Sequence, residues 1–169
     1  MKRASSLQQG TKPSRRRKTW REKLADDKDL PKVVQLDTES ARQFGGKTLA
    51  IPAPREVDAL MRKVASGKLV TTDELRAAIA RRHDADAACP MTTGIFAWIA
   101  AQAAEEAAAE GSAEITPYWR ILKTKGELNP KFPGGVPAVS ARLKAENHIV
   151  VQRGKRFFIE DYEKSLAKL

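Results

Sequence analysis

Two adjacent aromatic residues, Tyr118 and Trp119, lie between a proline and an arginine in the segment Pro117–Arg120. Pro117 fixes its own backbone φ angle and disfavours the helical conformation at Thr116, so the aromatic pair follows a stiffened stretch of chain. Large flat rings stack on planar partners such as extruded nucleic-acid bases. Filling of the hydrophobic core is the alternative use of such rings, and for Trp119 the sequence leaves both uses open.

Cys89 is the one thiol in the chain and therefore the one thiol nucleophile that it offers. It precedes Pro90, a residue typical of the first position of a helix, and a helix N-terminus stabilises a thiolate. A small buried residue is nevertheless the preferred interpretation of Cys89. A single cysteine excludes an intramolecular disulfide, and His83 and His148 add too few ligands for a zinc centre. We expect neither a metal nor another cofactor.

The balance of 31 basic against 21 acidic residues gives the chain a formal net charge of +10. Residues 1–24 contain nine basic residues and a single acidic one, so most of the excess lies in this tail. Such a charge favours a polyanionic partner, with a merely solubilising tail as the alternative. Residues 1–18 are predicted to form a disordered basic arm that binds DNA phosphates without sequence preference. Its basic cluster consists of Arg15, Arg16, Arg17 and Lys18.

Residues 19–53, here called the N-terminal segment, show only short elements. Thr19–Leu24 is predicted to begin a short helix, because Trp20 and Leu24 have i, i+4 spacing. Lys32–Leu36 and Lys47–Ile51 are predicted strands, separated by Gly45-Gly46. No apolar run in the sequence approaches the length of a membrane helix, and we expect no membrane association.

Helical periodicity begins at Pro54 and continues to Val64, with Gly67 as its stop. Thr71–Glu74 has the spacing of a capping box and predicts a second helix. A longer helix is predicted from Cys89-Pro90 to Glu110, and Ile95, Trp98 and Ile99 are expected on its core side. The first turn of that helix is the predicted DNA-facing part, because backbone N–H groups there favour an anion. It contains Met91, Thr92 and Thr93.

The C-terminal part predicts a helix beginning at Pro137, followed by a β-hairpin with a basic tip. The expected strands are His148–Val151 and Arg156–Ile159, and Asp161–Leu169 is a possible closing helix. Basic residues cluster at the hairpin tip, namely Arg153, Lys155 and Arg156. The predicted fold is therefore α+β and mainly helical: a winged helix-turn-helix domain over 54–169, with the hairpin as its wing.

The segment around Pro117 resembles the active-site segment of the alkylguanine-DNA alkyltransferases, whose signature is Pro-Cys-His-Arg-Val followed by Gly-Gly and a helix ending in glutamate. The matching residues are Pro117, Arg120, Ile121, Gly134, Gly135, Leu143 and Glu146. Tyr118 stands at the position of the nucleophilic cysteine, and Trp119 stands at that of the histidine. A phenol accepts alkyl groups poorly at neutral pH, and an indole cannot act as the base. The chain is more similar to the alkyltransferase-like proteins, which bind lesions without repairing them.

This resemblance implies that Pro117, Tyr118, Trp119 and Arg120 frame a pocket for a base. It also implies that Thr72 stands where the family has a tyrosine that moves the target nucleotide. Met91 stands where the family has an intercalating arginine, and a methionine can still wedge between bases. Arg120 is expected to be largely structural, and Glu146 is expected to pair with it.

We therefore expect a DNA-binding protein of damage recognition or repair, which binds alkylated or extruded guanine without alkyl transfer. A monomer in the cytoplasm, associated with the nucleoid, is expected, with other repair proteins as further candidate partners. Two alternatives stay open. The first is a plain winged-helix regulator or nucleoid protein, and the second is an enzyme that uses Cys89 as its alkyl acceptor.

Overall fold

The computed structural model of the chain describes residues 16–169, so Arg15 and the rest of the predicted arm before it lie outside the described residues. The described helices are Trp20–Leu24 (α1), Thr38–Phe44 (α2), Pro54–Arg62 (α3), Thr72–Arg82 (α4), Pro90–Ala109 (α5) and Gly135–Ala145 (α6). The described strands are Lys32–Gln35 (β1), Thr48–Ile51 (β2), Val70–Thr71 (β3), Ala87–Ala88 (β4), Ile121–Leu122 (β5), Val150–Arg153 (β6) and Arg156–Ile159 (β7). The expected mixture of helices and strands is confirmed. None of the helices within 16–169 has the length and apolar character needed to cross a membrane.

The N-terminal segment contains the predicted helix and both predicted strands. Thr19 caps α1 in a capping box with Glu22, and β1 pairs antiparallel with β2. The helix α2 between these strands was not predicted. It is short and buries no residue, so it lacks the apolar face by which a helix is recognised in a sequence.

The helices α3 and α4 follow the predicted pattern. Val57, Leu60 and Met61 of α3 lie in the core, at most 4% exposed. At the start of α4, Thr71 and Glu74 form the predicted capping box, in which each side chain accepts a hydrogen bond from the other residue's backbone N–H.

The long helix α5 begins with Pro90, as predicted, but it buries a different face. Its buried residues are small: Thr93, Ala97, Ala100, Ala101, Ala103 and Ala104. Ile95 is 46% exposed, and Trp98 and Ile99 are half-buried. The expectation that these three residues face the core is therefore wrong for Ile95. A face of alanines lets the neighbouring α3 approach closely, which leaves the larger side chains to the outer sides of the helix.

Two small strand pairs complete the structure. β3 pairs parallel with β5, and β6 pairs antiparallel with β7 in a hairpin. The hairpin was predicted, but its first strand is Val150–Arg153 and not His148–Val151. Asp161–Leu169 forms no α-helix; a 3-10 turn covers Tyr162–Ser165 instead. The chain then returns to the core, because the Ala167 N–H donates to the Leu69 carbonyl at 2.8 Å.

Candidate nucleic-acid interface

A cleft of about 920 Å³, here called the large cleft, opens between the start of α4, the first half of α5, the loop 123–131 and the hairpin. Thr72 and Lys123 are neighbours in its lining because each of them directly follows one strand of a parallel pair. In that pair, Val70 is opposite Ile121 and Thr71 is opposite Leu122. The carboxyl ends of parallel strands lie at one edge of a sheet, so the residues that follow them converge.

The start of α5 is tied to the rest of the protein from two sides. Its preceding strand β4 pairs parallel with β2, and the Cys89 N–H continues this pairing by donating to the Ala50 carbonyl at 2.9 Å. From α4, the Arg76 Nε donates to the Ala88 carbonyl at 3.1 Å. The first turn of α5 is therefore held in a fixed position at the mouth of the large cleft.

An apolar stripe on α5 faces the large cleft. Met91, Ile95 and Trp98 all line it, and they are spaced so that they lie on one side of the helix. Met91 is 71% exposed, one of the most exposed large apolar side chains in the described part of the chain. Trp98 is supported from behind by Trp20 of α1, whose ring meets it edge-to-face at a centroid distance of 4.7 Å.

The lining of the large cleft is basic, with five positive and two negative side chains. The positive ones are Arg76, Lys123, Lys125, Lys131 and Arg156, and the negative ones are Asp73 and Glu127. The Glu127 carboxylate is nearly buried and accepts from Lys123 Nζ at 2.9 Å and from Arg156 at 3.3 Å. Glu127 therefore links the loop 123–131 to the hairpin. The positive charge of the lining that Glu127 does not neutralise stays accessible from the solvent.

The predicted DNA-contact residues divide into two groups. Thr72, Met91 and Arg156 line the large cleft together. The half-buried Thr92 and the exposed Arg153 and Lys155 lie outside its lining, although the last two are at the hairpin tip as predicted. In the arm, Arg16 and Lys18 form exposed ion pairs with Glu22 and Asp26, and Arg17 is exposed.

Thr93 is a correction to the prediction. Its side chain is fully buried, its Oγ1 donates to the Cys89 carbonyl at 2.7 Å, and its N–H donates to the same carbonyl at 3.1 Å. With both donors used inside the helix, Thr93 offers nothing to a phosphate.

Tyr118 is a second correction, because it lies in the core, 1% exposed, and lines neither cleft. Its ring packs edge-to-face on Trp119 and Phe132. Its hydroxyl donates to the Glu105 carboxylate at 2.7 Å. Burial, together with this carboxylate, raises the pKa of Tyr118 well above its ordinary value, so the phenol stays protonated at neutral pH.

The other residues of the expected base pocket line a different cavity. A cleft of about 480 Å³, here called the small cleft, is bounded by Pro117, Trp119 and Arg120 together with Arg62, Arg142 and the loop 112–115. It lies beside Ala108, near the C-terminal end of α5. Trp98, the nearest α5 residue in the lining of the large cleft, is ten residues away, which is about 15 Å along a helix. The expected pocket residues and the expected DNA-contact residues are therefore not brought together.

Arg120 has the structural role that was expected of it. Its guanidinium binds both oxygens of Glu146, with the shortest N···O distance at 2.7 Å, and donates to the Val64 carbonyl at 2.7 Å. Burial raises the pKa of Glu146, but hydrogen bonds from Arg120, Trp119 and the Gly67 N–H outweigh it and hold the pKa below its ordinary value.

Most residues that line the large cleft were not predicted from the sequence. Lys123, Lys125 and Lys131 occur within nine residues, directly after a strand and around Gly126. A basic, glycine-containing loop of this kind is typical of an anion-binding turn. Arg76 shows no such pattern, because its place at the cleft depends on the packing of α4 against the start of α5.

No protein-family model matches the sequence, and no curated protein matches it. Among solved structures, the chain is similar to S. pombe Atl1 in complex with damaged DNA containing O6-carboxymethylguanine. The two share 16% identity over 69% of this chain and 94% of that chain, with a TM-score of 0.46. It is also similar to S. pombe ATL in complex with DNA, with 14% identity over the same shares and a TM-score of 0.43.

Proposed function

We propose that this protein binds DNA in the large cleft and transfers no alkyl group. The observation that carries the proposal is the joining of an apolar stripe and a basic lining in one cavity. Basic side chains around a cleft neutralise phosphates, while Met91, Ile95 and Trp98 offer the apolar surface that a base or a base step needs. The order of α3, α4 and α5, then α6 and the hairpin, supports the winged-helix interpretation, with α5 as the reading helix.

The base is proposed to stack on Trp98 rather than on Tyr118 or Trp119. Trp98 is half-buried, lines the large cleft and is supported by Trp20, so its ring is a rigid platform at the right place. Met91, at the mouth of the cleft, is the side chain suited to fill the gap that an extruded nucleotide leaves in the duplex.

The test compares two tryptophan substitutions that remove the same side chain from different cavities. Trp98→Ala is expected to weaken binding to a duplex with O6-alkylated guanine by about five- to hundredfold, the loss typical of one base stack. Trp119→Ala, in the small cleft, is the matched control and is expected to leave this affinity unchanged. Fluorescence anisotropy gives the affinities, and thermal melting verifies that both variants are folded. Equal losses in both variants would contradict the proposal.

A plain winged-helix DNA-binding protein is the second candidate, favoured by the extent of the basic lining. The same titration separates the two, because a plain binder has equal affinity for the alkylated duplex and its undamaged match. Removal of residues 1–18 is expected to weaken binding to both duplexes alike and to flatten the salt dependence, since the arm contributes phosphate contacts. An unchanged salt slope would exclude that role of the arm.

The absence of alkyl transfer is proposed because the tyrosine at the nucleophile position is a buried, protonated phenol. Intact-mass measurement after long incubation with excess alkylated duplex is expected to give the unmodified mass. A mass gain that Cys89→Ser abolishes would instead support the enzymatic alternative.

A further inference from the structure

The helix α1 is held in place by side chains of α5. It has five residues and buries none of them, and a helix of this length is not stable by itself. The Glu106 carboxylate accepts the Trp20 N–H at 3.2 Å and the Arg21 N–H at 2.9 Å. The Thr19 hydroxyl accepts the next one, the Glu22 N–H. Glu106 therefore acts as an additional N-terminal cap for a helix that lies about 85 positions earlier in the chain.

The docked α1 places Trp20 against Trp98. The two rings meet edge-to-face with an interplanar angle of 82°, and the Lys23 Nζ lies 3.7 Å from the centroid of the Trp20 ring. Lys23 is three residues after Trp20, so both side chains belong to one side of α1. Trp20 contacts Trp98 from outside the lining of the large cleft, so the part of Trp98 that lines the cleft stays open to a ligand.

Stabilisation of the core does not explain why α1 docks here. The helix buries no residue, and Trp20 is half-buried. The remaining tie to α5 is an ion pair between Arg21 and Glu110 at 2.8 Å, in which both side chains are more than half exposed. Such exposed pairs contribute little to stability. The consequence of docking that reaches a described cleft is therefore the position of the Trp98 ring.

A fixed ring binds a base better than a mobile one does. A side chain that becomes ordered only on binding lowers the affinity of a complex, by roughly two- to tenfold for one large side chain. A ring that is already ordered avoids this loss. The phosphate contacts in the large cleft come from its basic side chains and not from Trp98. The gain therefore applies to a stacked base and not to a duplex that is held by its backbone alone.

We propose that Glu106 and Trp20 are positioning residues of the large cleft. By docking α1, they fix the Trp98 ring and increase the preference of the cleft for alkylated over undamaged duplex. This inference rests on the proposed function, in which the base stacks on Trp98. The arm and α1 then act differently, because the arm contributes phosphate contacts to both duplexes alike, whereas α1 acts on the difference between them.

The first measurement is made without DNA. NMR relaxation of the Trp98 indole N–H reports the order of the ring on the picosecond to nanosecond timescale. The ring is expected to be ordered in the full chain and more mobile in Trp20→Ala. It is expected to be ordered again in Trp20→Phe, which keeps an aromatic partner. Thermal melting verifies that the variants are folded. An equally ordered Trp98 in Trp20→Ala would overturn the proposal.

The second measurement is the ratio of the affinities for a duplex with O6-alkylated guanine and for its undamaged match. Trp20→Ala is expected to lower this ratio roughly two- to tenfold, and Trp20→Phe is expected to restore most of it. Glu106→Gln keeps Trp20 but removes the carboxylate, and it is expected to lower the ratio too. Glu39→Gln in α2 makes the same change of charge and is the control, which is expected to leave the ratio unchanged.

The two proposals fail in different ways. If Trp98→Ala lowers the ratio while Trp20→Ala and Glu106→Gln do not, the base stacks on Trp98 without help from α1, and the positioning proposal alone is overturned. If Trp98→Ala leaves the ratio unchanged, the proposed function is wrong at its stacking site, and this proposal fails with it. Equal losses in Glu39→Gln and Glu106→Gln would assign the effect to charge and overturn the positioning role of Glu106.

Discussion

The two clefts at opposite ends of α5 hold positive charge in different ways. In the large cleft, three of the five basic residues are lysines, whose ammonium groups lie at the ends of flexible stems. In the small cleft all three are arginines, each fixed by a carboxylate behind it. Flexible point charges suit a phosphate backbone that varies in position, whereas fixed forks suit a ligand with one defined geometry. Net charge alone therefore does not determine what a cleft binds.

Glu146→Gln should have the largest effect, and it should fall on the small cleft. It leaves the largely buried Arg120, which is 14% exposed, without its carboxylate, and we expect a loss of unfolding free energy of about 3–5 kcal/mol. Chemical denaturation measures this loss. Asp29→Asn, which breaks the exposed pair with Lys32, is the control and should cost less than about 1 kcal/mol. Similar losses in both variants would show that the Arg120–Glu146 pair contributes no more stability than the exposed Asp29–Lys32 pair.

Gly126→Ala should have the second-largest effect, and this effect should fall on the large cleft. Gly126 has a φ of +78°, and an added Cβ would lie 2.4 Å from the Tyr162 ring. Gly45 has the same φ but open space around it, so Gly45→Ala is a matched control. The control should cost about 1–2 kcal/mol for the left-handed backbone alone. Gly126→Ala should cost more in thermal melting and should also weaken DNA binding. Equal costs would mean that the Tyr162 contact is easily relieved.

Substitutions of two arginines of the hairpin should have smaller effects, and these effects on DNA binding should differ from each other. The Arg153 and Arg156 guanidiniums both lie over Phe158, at 5.3 and 5.4 Å from its ring centroid, but only Arg156 lines the large cleft. Arg156→Gln should therefore lower the salt slope of DNA binding by about 0.9, the value for one lost phosphate contact. Arg153→Gln should lower it less. DNA affinities measured between about 50 and 200 mM salt show which of the two substitutions lowers the salt slope more.

The smallest expected effect is a pH dependence near the small cleft. Burial lowers the pKa of His148, and its Nε2 is buried without a hydrogen-bond partner among the described residues. A group with a lowered folded pKa contributes stability above its ordinary pKa of 6.5 that is lost as the pH falls through the folded value. Glu146 adds a second loss below its ordinary pKa of 4.5. His148→Phe should remove the first loss only, as measured by urea unfolding at a series of pH values. An unchanged pH profile would contradict this assignment.

The sequence predicted the elements better than it predicted the cavities. Capping at Thr71, the proline start of α5 and the glycine-containing turn of the hairpin are local patterns, and each produced the expected element. Which side of α5 is buried depends instead on how closely α3 approaches it, and this is not a local property. The large side chains of α5, Ile95 among them, were therefore expected in the core, where the structure has alanines.

The place of Tyr118 in the expected base pocket was wrong for a related reason. Four consecutive residues, Pro117–Arg120, were treated as one site, but consecutive residues in a 3-10 turn point in different directions. Tyr118 turns inward to Glu105, while Trp119 and Arg120 turn toward Glu146. The large cleft, in contrast, is assembled from segments up to 84 positions apart in the sequence, from Thr72 to Arg156, and no single stretch of sequence contains its pattern.

The placement of the three tryptophans gives the protein its own optical labels. Trp20 and Trp98 contact each other beside the large cleft, while Trp119 is the one tryptophan of the three that lines the small cleft. A ligand in one cleft therefore changes the emission of one group of indoles and leaves the other group as an internal reference. With single Trp→Phe replacements, occupancy of each cleft becomes visible in unlabelled protein, and simultaneous occupation of both can be followed in one cuvette.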